Sequence, residues 1–249
     1  MLMNQTISKL NGLRLNAMAK ALELQRDNPQ LQELPFEERF SMLVDHETQA
    51  RDTRRVQRLL KNGRLKATDA ALEDIDFRAT RGLDKQVIMS LMSLDWIRRG
   101  QNLILTGPAG GGKTWLACAF ANAAARSGMP MLYYRMTRLL EDMRIASEIG
   151  EQLELRAKLT KPKLLLIDDW GVTPMTALGR QDLFEVIDDR SKLSTVITSQ
   201  LPISSWHGYI GDPTIADAIL DRIIHSAHKI ELKGESMRKL NAQLALTDI

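Results

Sequence analysis

The stretch GPAGGGKTWLACAFA, residues 107–121, decides how the rest of the chain is read. Four glycines, Gly107, Gly110, Gly111 and Gly112, stand immediately ahead of a run that reads as a buried helix. Glycine weakens regular structure, so its concentration here calls for a physical reason. A loop that wraps a phosphate aims successive backbone N–H groups inward, which demands unusual backbone angles and leaves no room for side chains. Gly107, Pro108, Ala109, Gly110, Gly111, Gly112, Lys113 and Thr114 satisfy G-x-x-x-x-G-K-[ST], after the apolar run NLILT (102–106) and before a helix starting near Lys113. The helix N-terminus adds positive potential, Lys113 reaches toward the β- and γ-phosphates, and Thr114 offers its hydroxyl to Mg²⁺. A merely flexible glycine turn is the bland alternative, and it leaves the strand before and the helix after unexplained.

Outward from the loop, short apolar runs alternate with longer helical patterns. NLILT, MLYYR (131–135), KLLLID (163–168), STVITS (194–199) and HKIEL (228–232) read as strands, with intervals long enough for crossover helices. Near-continuous apolar character in LLLI and VI indicates strands covered on both faces, as parallel sheets require. The expectation is an α/β domain with a mainly parallel five-stranded sheet.

The second half of a nucleotide site falls where such a sheet puts it. KLLLIDD is an apolar strand ending in two carboxylates, and strand C-termini form the ligand crevice of open parallel sheets. Asp168 is the candidate for the Mg²⁺ hydration shell, and Asp169 the candidate to orient or deprotonate an attacking water. STVITSQLP (194–202) ends in Ser199 and Gln200, polar side chains suited to face a γ-phosphate if this strand lies beside the first and third. In AILDRIIHSAHKIEL, Arg222 lies on a helix packed through Ile219, Leu220, Ile223 and Ile224. It is either a solvated residue or one that reaches a neighbouring subunit's nucleotide.

Residues 1–66 read as a small helical domain. Leu10, Leu13, Met18 and Leu22 are spaced as in an amphipathic region, Pro29 and Pro35 punctuate it, and a second pattern runs from Phe36 to Leu60. That pattern sets Phe36, Phe40, Leu43 and Val44 on one face, with Gly63 as a stop. Residues 67–80 read as a linker, and 81–249 as the nucleotide-binding domain. Within RDTRRVQRLLKNGRLK (51–66) stand seven basic residues and one acid, more positive charge than the +3 of the whole 249-residue chain. On a helix, Arg51, Arg54, Arg55, Arg58 and Lys61 form one stripe at spacings of three and four. Such a stripe neutralises a series of phosphates without reading sequence, and its bland alternative is a solvated face or one paired with acids in 69–76.

A composition of 44% hydrophobic and 26% charged residues suits a globular protein. The one cysteine, Cys118, excludes an intrachain disulfide and reads as a small core residue. The four histidines do not make a metal site by spacing. With neither a cleavable apolar segment nor a run long enough to cross a bilayer, the chain reads as cytoplasmic, with no membrane partner.

The order GPAGGGKTWLA, LLLIDDWG, TVITSQLP, ILDRIIHSAHKIEL, preceded by LPFEERF and LEDIDF, resembles the IstB helper ATPases of bacterial insertion sequences. These are relatives of the DnaC helicase loaders within the AAA+ ATPases. The resemblance implies an ATP- and Mg²⁺-dependent ATPase that binds double-stranded DNA, oligomerises on it with nucleotide at subunit interfaces, and stimulates a partner transposase. By position it puts Lys113 and Thr114 at Walker A, Asp168 and Asp169 at Walker B, Ser199 and Gln200 around sensor 1, Arg222 at the arginine finger and Arg238 at sensor 2. Asp169 stands where AAA+ proteins commonly carry glutamate, which implies slow turnover, and the chain ends too soon after the fifth strand for a full helical lid. The rival from the same motifs is a DnaC-type replicative helicase loader. Two others are a small-molecule phosphotransferase, for which no acceptor motif is present, and a loop that binds nucleotide without turnover.

Overall fold

In the computed structural model, residues 2–77, 81–234 and 236–237 are described. Contacts divide the chain into two units, Met1–Arg58 and Leu59–Ile249. The division falls earlier than the expected boundary at residue 66.

The first unit is helical, with α1 (Leu2–Gly12), α2 (Asn16–Asp27), α3 (Pro29–Gln32) and the start of α4 (Phe36–Gly63). The single amphipathic region expected around Leu10–Leu22 is two helices, broken at Arg14, whose φ of 60° ends the first. Ile7, Ala19, Ala21 and Leu43 are buried, whereas Leu13, Phe36, Phe40 and Val44 are exposed, so most of the expected apolar face of α4 is uncovered within this unit. The helix entry is held by Glu47 of α4, which is buried and accepts the free N–H groups of Ala17 and Met18 at 3.0 and 3.1 Å.

The second unit is a three-layer α/β domain. It carries α5 (Lys85–Leu91), α6 (Asp95–Arg98), β1 (Asn102–Thr106), α7 (Lys113–Arg126), β2 (Met131–Arg135), α8 (Met136–Ile149) and α9 (Gln152–Thr160). β3 (Leu164–Trp170), α10 (Ala177–Asp189), β4 (Ser194–Ser199), α11 (Trp206–Ile210), α12 (Pro213–Ile224) and β5 (Ala227–Glu231) complete its described α-helices and strands. The strands form one parallel sheet in the order β2-β3-β4-β1-β5. All five expected strands are present. β3 starts one residue later and runs two further than KLLLID, and β5 sits one residue earlier than HKIEL.

Both faces of the sheet are apolar, as the run-on hydrophobic strands require. Leu103, Leu105, Leu166 and Val196 face α7, where Ala117, Ala121 and Ala124 let the helix approach closely and Phe120 fills the layer against Trp96. Ile104, Leu165, Ile167 and Ile197 face Leu139, Leu183 and Ile219 of α8, α10 and α12. Cys118 is fully buried among the first set, and burial pushes its thiol up, as expected of a core residue.

Residues 67–77 are more than a connection. Ala70, Leu72 and Ile75 are buried in the α7 face, and the Asn122 amide of α7 donates to Thr68 O at 3.2 Å and Ala70 O at 2.7 Å. At the opposite end of the sheet from the glycine loop, Arg190 donates to Leu159 O, Pro162 O, Ser194 O and Thr195 Oγ1. These bonds tie the starts of β3 and β4. Because β4 lies between β1 and β3, the C-terminal ends of β1 and β3 flank a crevice above β4.

Candidate nucleotide site

The loop between β1 and α7 adopts backbone that only glycine tolerates easily. Gly107, Gly110 and Gly112 have φ of 137°, 80° and 92°, and a Cβ on Gly107 would stand 2.1 Å from Leu232 O. The residues that follow β5 close over the loop. Leu232 N–H donates to Thr106 O at 2.8 Å, Met237 N–H donates to Gly110 O at 3.0 Å, and Ser236 fills the space beside Gly110.

Lys113, at the first position of α7, is 7% exposed and its ammonium donates to Gly107 O and Pro108 O, each at 2.8 Å. The charge therefore sits in the mouth of the loop. Burial lowers its pKa, opposed by the nearby Asp169 and Asp168 carboxylates. Thr114, one residue on, turns its hydroxyl across the crevice to Asp168 Oδ1 at 2.7 Å.

Asp168 is fully buried and held on every side. Oδ1 also accepts from Thr198 Oγ1 at 2.6 Å, while Oδ2 accepts from Tyr133 OH at 2.8 Å and lies 3.9 Å from Lys66 Nζ. Burial, then the Asp168 charge, pushes the Tyr133 phenol well above its ordinary pKa, so it stays a donor. A buried carboxylate beside a threonine hydroxyl is a hard oxygen donor set of the kind Mg²⁺ takes, so Thr114 and Asp168 fit the ion expected there.

The two aspartates occupy an interruption of the ladder. The register of β3 against β4 shifts between Ile167 and Trp170, and Asp169 takes a left-handed φ of 61°. Asp169 thereby bulges out of the β3–β4 ladder and meets Arg135 Nε, at the end of β2, at 3.0 Å. Thr198 plugs the gap, accepting Asp169 N–H at 3.1 Å while donating to Asp168.

Thr198 is the polar residue of β4 in the site, and sequence reasoning passed over it for its neighbours. The buried Ser199 hydroxyl donates to Trp170 O at 2.8 Å and accepts Leu201 N–H at 3.0 Å, which uses it within the fold. Gln200 is exposed beyond the strand end. Strand parity carries the missing signal: Val196 and Thr198 share the α7 face with Leu166 and Asp168, and residue 199 alternates away. Tyr133 follows the same parity on β2, and Arg135 lies opposite Asp168 in its register with β3.

Arg222 is remote from its own loop. Its carbonyl accepts from the Asn102 side chain at the start of β1, while the loop begins after Thr106 at the other end of that strand. Five strand residues span about 16 Å. The guanidinium bonds Asp188 Oδ1 at 2.6 and 2.7 Å and lies over Phe184, 5.2 Å from the ring centre. Arg238 lies outside the described residues, as does the segment on which a lid would be judged.

The five cations of the basic stripe lie on α4 and are exposed, with two of them engaged by an acid of the same helix. Glu47 Oε1 takes Arg51 Nε at 2.8 Å and Arg54 Nη2 at 3.4 Å. Burial raises the Glu47 pKa, but the Arg51 guanidinium and the Met18 and Ala17 N–H groups outweigh it and hold the carboxyl below its usual range. Arg58 and Lys61 form no ion pair among the described residues.

The family model described as IstB-like ATP binding protein matches residues 8–245. The chain belongs to the IstB-like ATP-binding family. An insertion sequence ATP-binding protein of Sinorhizobium fredii is 42% identical over 240 residues, covering 96% of this chain and 98% of the relative. The IS1162 ATP-binding protein of Pseudomonas fluorescens is 47% identical over 206 residues, 82% of this chain and 89% of the relative. Among solved structures, the DnaC helicase loader aligns with a TM-score of 0.53 at 17% identity, over 66% of this chain and 97% of that one. DnaI aligns at 0.55 and 22%, over 72% and 92%. These likenesses show that this IstB-like chain shares its fold with those two proteins. No helix among the described residues is long and apolar enough to cross a membrane.

Proposed function

We propose that this protein is an ATPase that binds double-stranded DNA, assembles on it with ATP, and assists the transposase of its insertion sequence. The observation that carries the reading is the meeting of Thr114 Oγ1 and Asp168 Oδ1 at 2.7 Å, across from a lysine ammonium lodged in a glycine loop. That constellation suits a triphosphate tail with Mg²⁺. Mg²⁺ held by Thr114 and Asp168 would supply positive charge that offsets the charge developing on the phosphates. Loop amides and Lys113 grip the phosphates, Thr114 and Asp168 hold the ion's shell, and Tyr133 and Thr198 fix the carboxylate that does so. Asp169, presented to the crevice by its left-handed backbone and steadied by Arg135, orients the attacking water and takes its proton.

Hydrolysis in this scheme requires a second subunit. Arg222 stands a strand's length from its own phosphates, so it serves a neighbour's, exchanging Asp188 for the incoming anion. DNA is held along α4 by Arg58 and Lys61 together with Arg55, and Arg51 and Arg54 join them as Glu47 and the duplex compete for their guanidinium groups. The domain division of this scheme is a helical unit that meets DNA and an ATPase unit that times assembly.

The test measures particle mass and strand-transfer stimulation with duplex DNA in ATP and in ADP. ATP-dependent growth of the particle on DNA, with faster strand transfer, is expected. Assembly indifferent to both nucleotide and DNA would overturn the proposal.

A further inference from the structure

Arg81 is a buried cation that none of the motifs above accounts for. It is 7% exposed and approaches the glycine loop from the segment preceding α5. Its Nη2 donates to Asp76 O at 2.6 Å, and its Nε is buried with no hydrogen-bond partner among the described residues. Its Nη1 lies 3.2 Å from the place a Cβ on Gly112 would occupy. Gly112 carries the positive φ from which α7 springs, so Arg81 meets the loop where it joins the helix N-terminus.

The backbone of Arg81 is fixed from the far edge of the sheet. Its carbonyl accepts Lys233 N–H at 2.8 Å, and Gly82 follows at φ 71°, where a Cβ would meet Glu231 O at 3.2 Å. The side chain is therefore aimed rather than loose. Burial lowers the pKa of its guanidinium, with Asp76 opposing. Holding a guanidinium out of water with a donor unused is costly, and an anion at that spot removes the cost. Arginine's planar fork suits phosphate oxygens better than a point charge does.

We infer that Arg81 is a nucleotide-binding residue, a second cation beside Lys113 that donates to the phosphates held against Gly112. The inference rests on the reading of residues 107–114 as a nucleotide site. Arg81 approaches from outside the loop and complements the ammonium at its mouth.

The test uses the full chain and titrates a fluorescent ADP, with AMP as competitor, alongside thermal melting without nucleotide. Arg81→Met keeps the apolar stem and removes the charge. It should weaken ADP binding about 10- to 100-fold, leave the melting temperature unchanged or raised, and weaken AMP binding less. Arg81→Lys should recover part of the loss. Wild-type ADP affinity in Arg81→Met, with or without a lower melting temperature, would overturn the inference and mark a clamp between the entry segment and Lys233. An equal loss for AMP and ADP would overturn it too. Should Arg81→Met fail to fold, Arg81→Gln is read in the same two assays against the same outcomes. Failure of the wild type to bind ADP at all would instead remove the underlying nucleotide reading.

Discussion

In the proposed function the phosphate loop and the basic face of α4 both meet phosphates, and the two are built in opposite ways. At the loop, backbone angles open only to glycine, a lysine 7% exposed and, across from it on β3, a fully buried aspartate leave each group one place to be. Along α4 the cations are exposed on long stems, and two share a carboxylate of their own helix. A site that positions a reacting phosphoryl group needs fixed donors, whereas a face that follows a duplex backbone needs only charge at the right spacing. Substitutions in the two regions should therefore differ in kind, with large, specific losses in the first and graded, salt-dependent ones in the second.

The largest effect is expected where the loop depends on a neighbour. Arg222→Ala should lower the ATPase rate of assembled protein about 1000-fold while leaving nucleotide affinity intact, checked by turnover and binding side by side. An unchanged rate would confine catalysis to single subunits. Lys113→Ala should weaken ATP binding about 100-fold in a fluorescence titration, by removing the one cation inside the loop. Gly107→Ala should lower stability by about 3 kcal/mol, or about 6–12 °C in melting temperature, since its φ of 137° and the carbonyl of Leu232 both exclude a methyl group. A stable variant would mean that the loop is less constrained than its geometry implies.

The same contrast explains what was legible in the sequence. The loop, the five strands and the carboxylate pair were readable because glycine spacing, unbroken apolar runs and a strand-end aspartate each admit few structures. The contact of β4 with Asp168 was not legible because STVITSQLP signals a polar strand end without saying which side chain faces α7, and the answer, Thr198, depends on the register beside Val196. The bulge that turns Asp169 toward Arg135 depends on a ladder shift that no local pattern encodes. Arg81 and Tyr133 were silent for the same reason: each acts through residues distant in sequence. On α4, the stripe was readable, but its pairing with Glu47 was not, because Glu47 is drawn inward by the N–H groups of Ala17 and Met18 on another helix.

Smaller effects sharpen the α4 side. Arg58→Ala with Lys61→Ala should reduce the slope of log DNA affinity against log salt by about 2, with ATP affinity unchanged. A slope identical to that of the parent would place the DNA elsewhere. The Glu47 carboxyl, held below its usual range, stabilises the helical unit above the ordinary carboxylate pKa and loses that contribution as pH falls through its folded value. Helicity measured during acid titration should therefore decline in the acid range, and Glu47→Gln should be less stable at neutral pH with a flatter acid profile. Equal profiles would leave Glu47 without a role in that unit.

The most direct test of the nucleotide site is an experimental structure with Mg²⁺ and a non-hydrolysable ATP analogue. The polyphosphate should lie against the amides of residues 110–114, with the metal next to Thr114 Oγ1 and the Asp168 carboxylate beyond it. Density for the analogue elsewhere, or a loop extended away from Lys113 with Asp168 still closed against Tyr133 and no metal at Thr114, would contradict it.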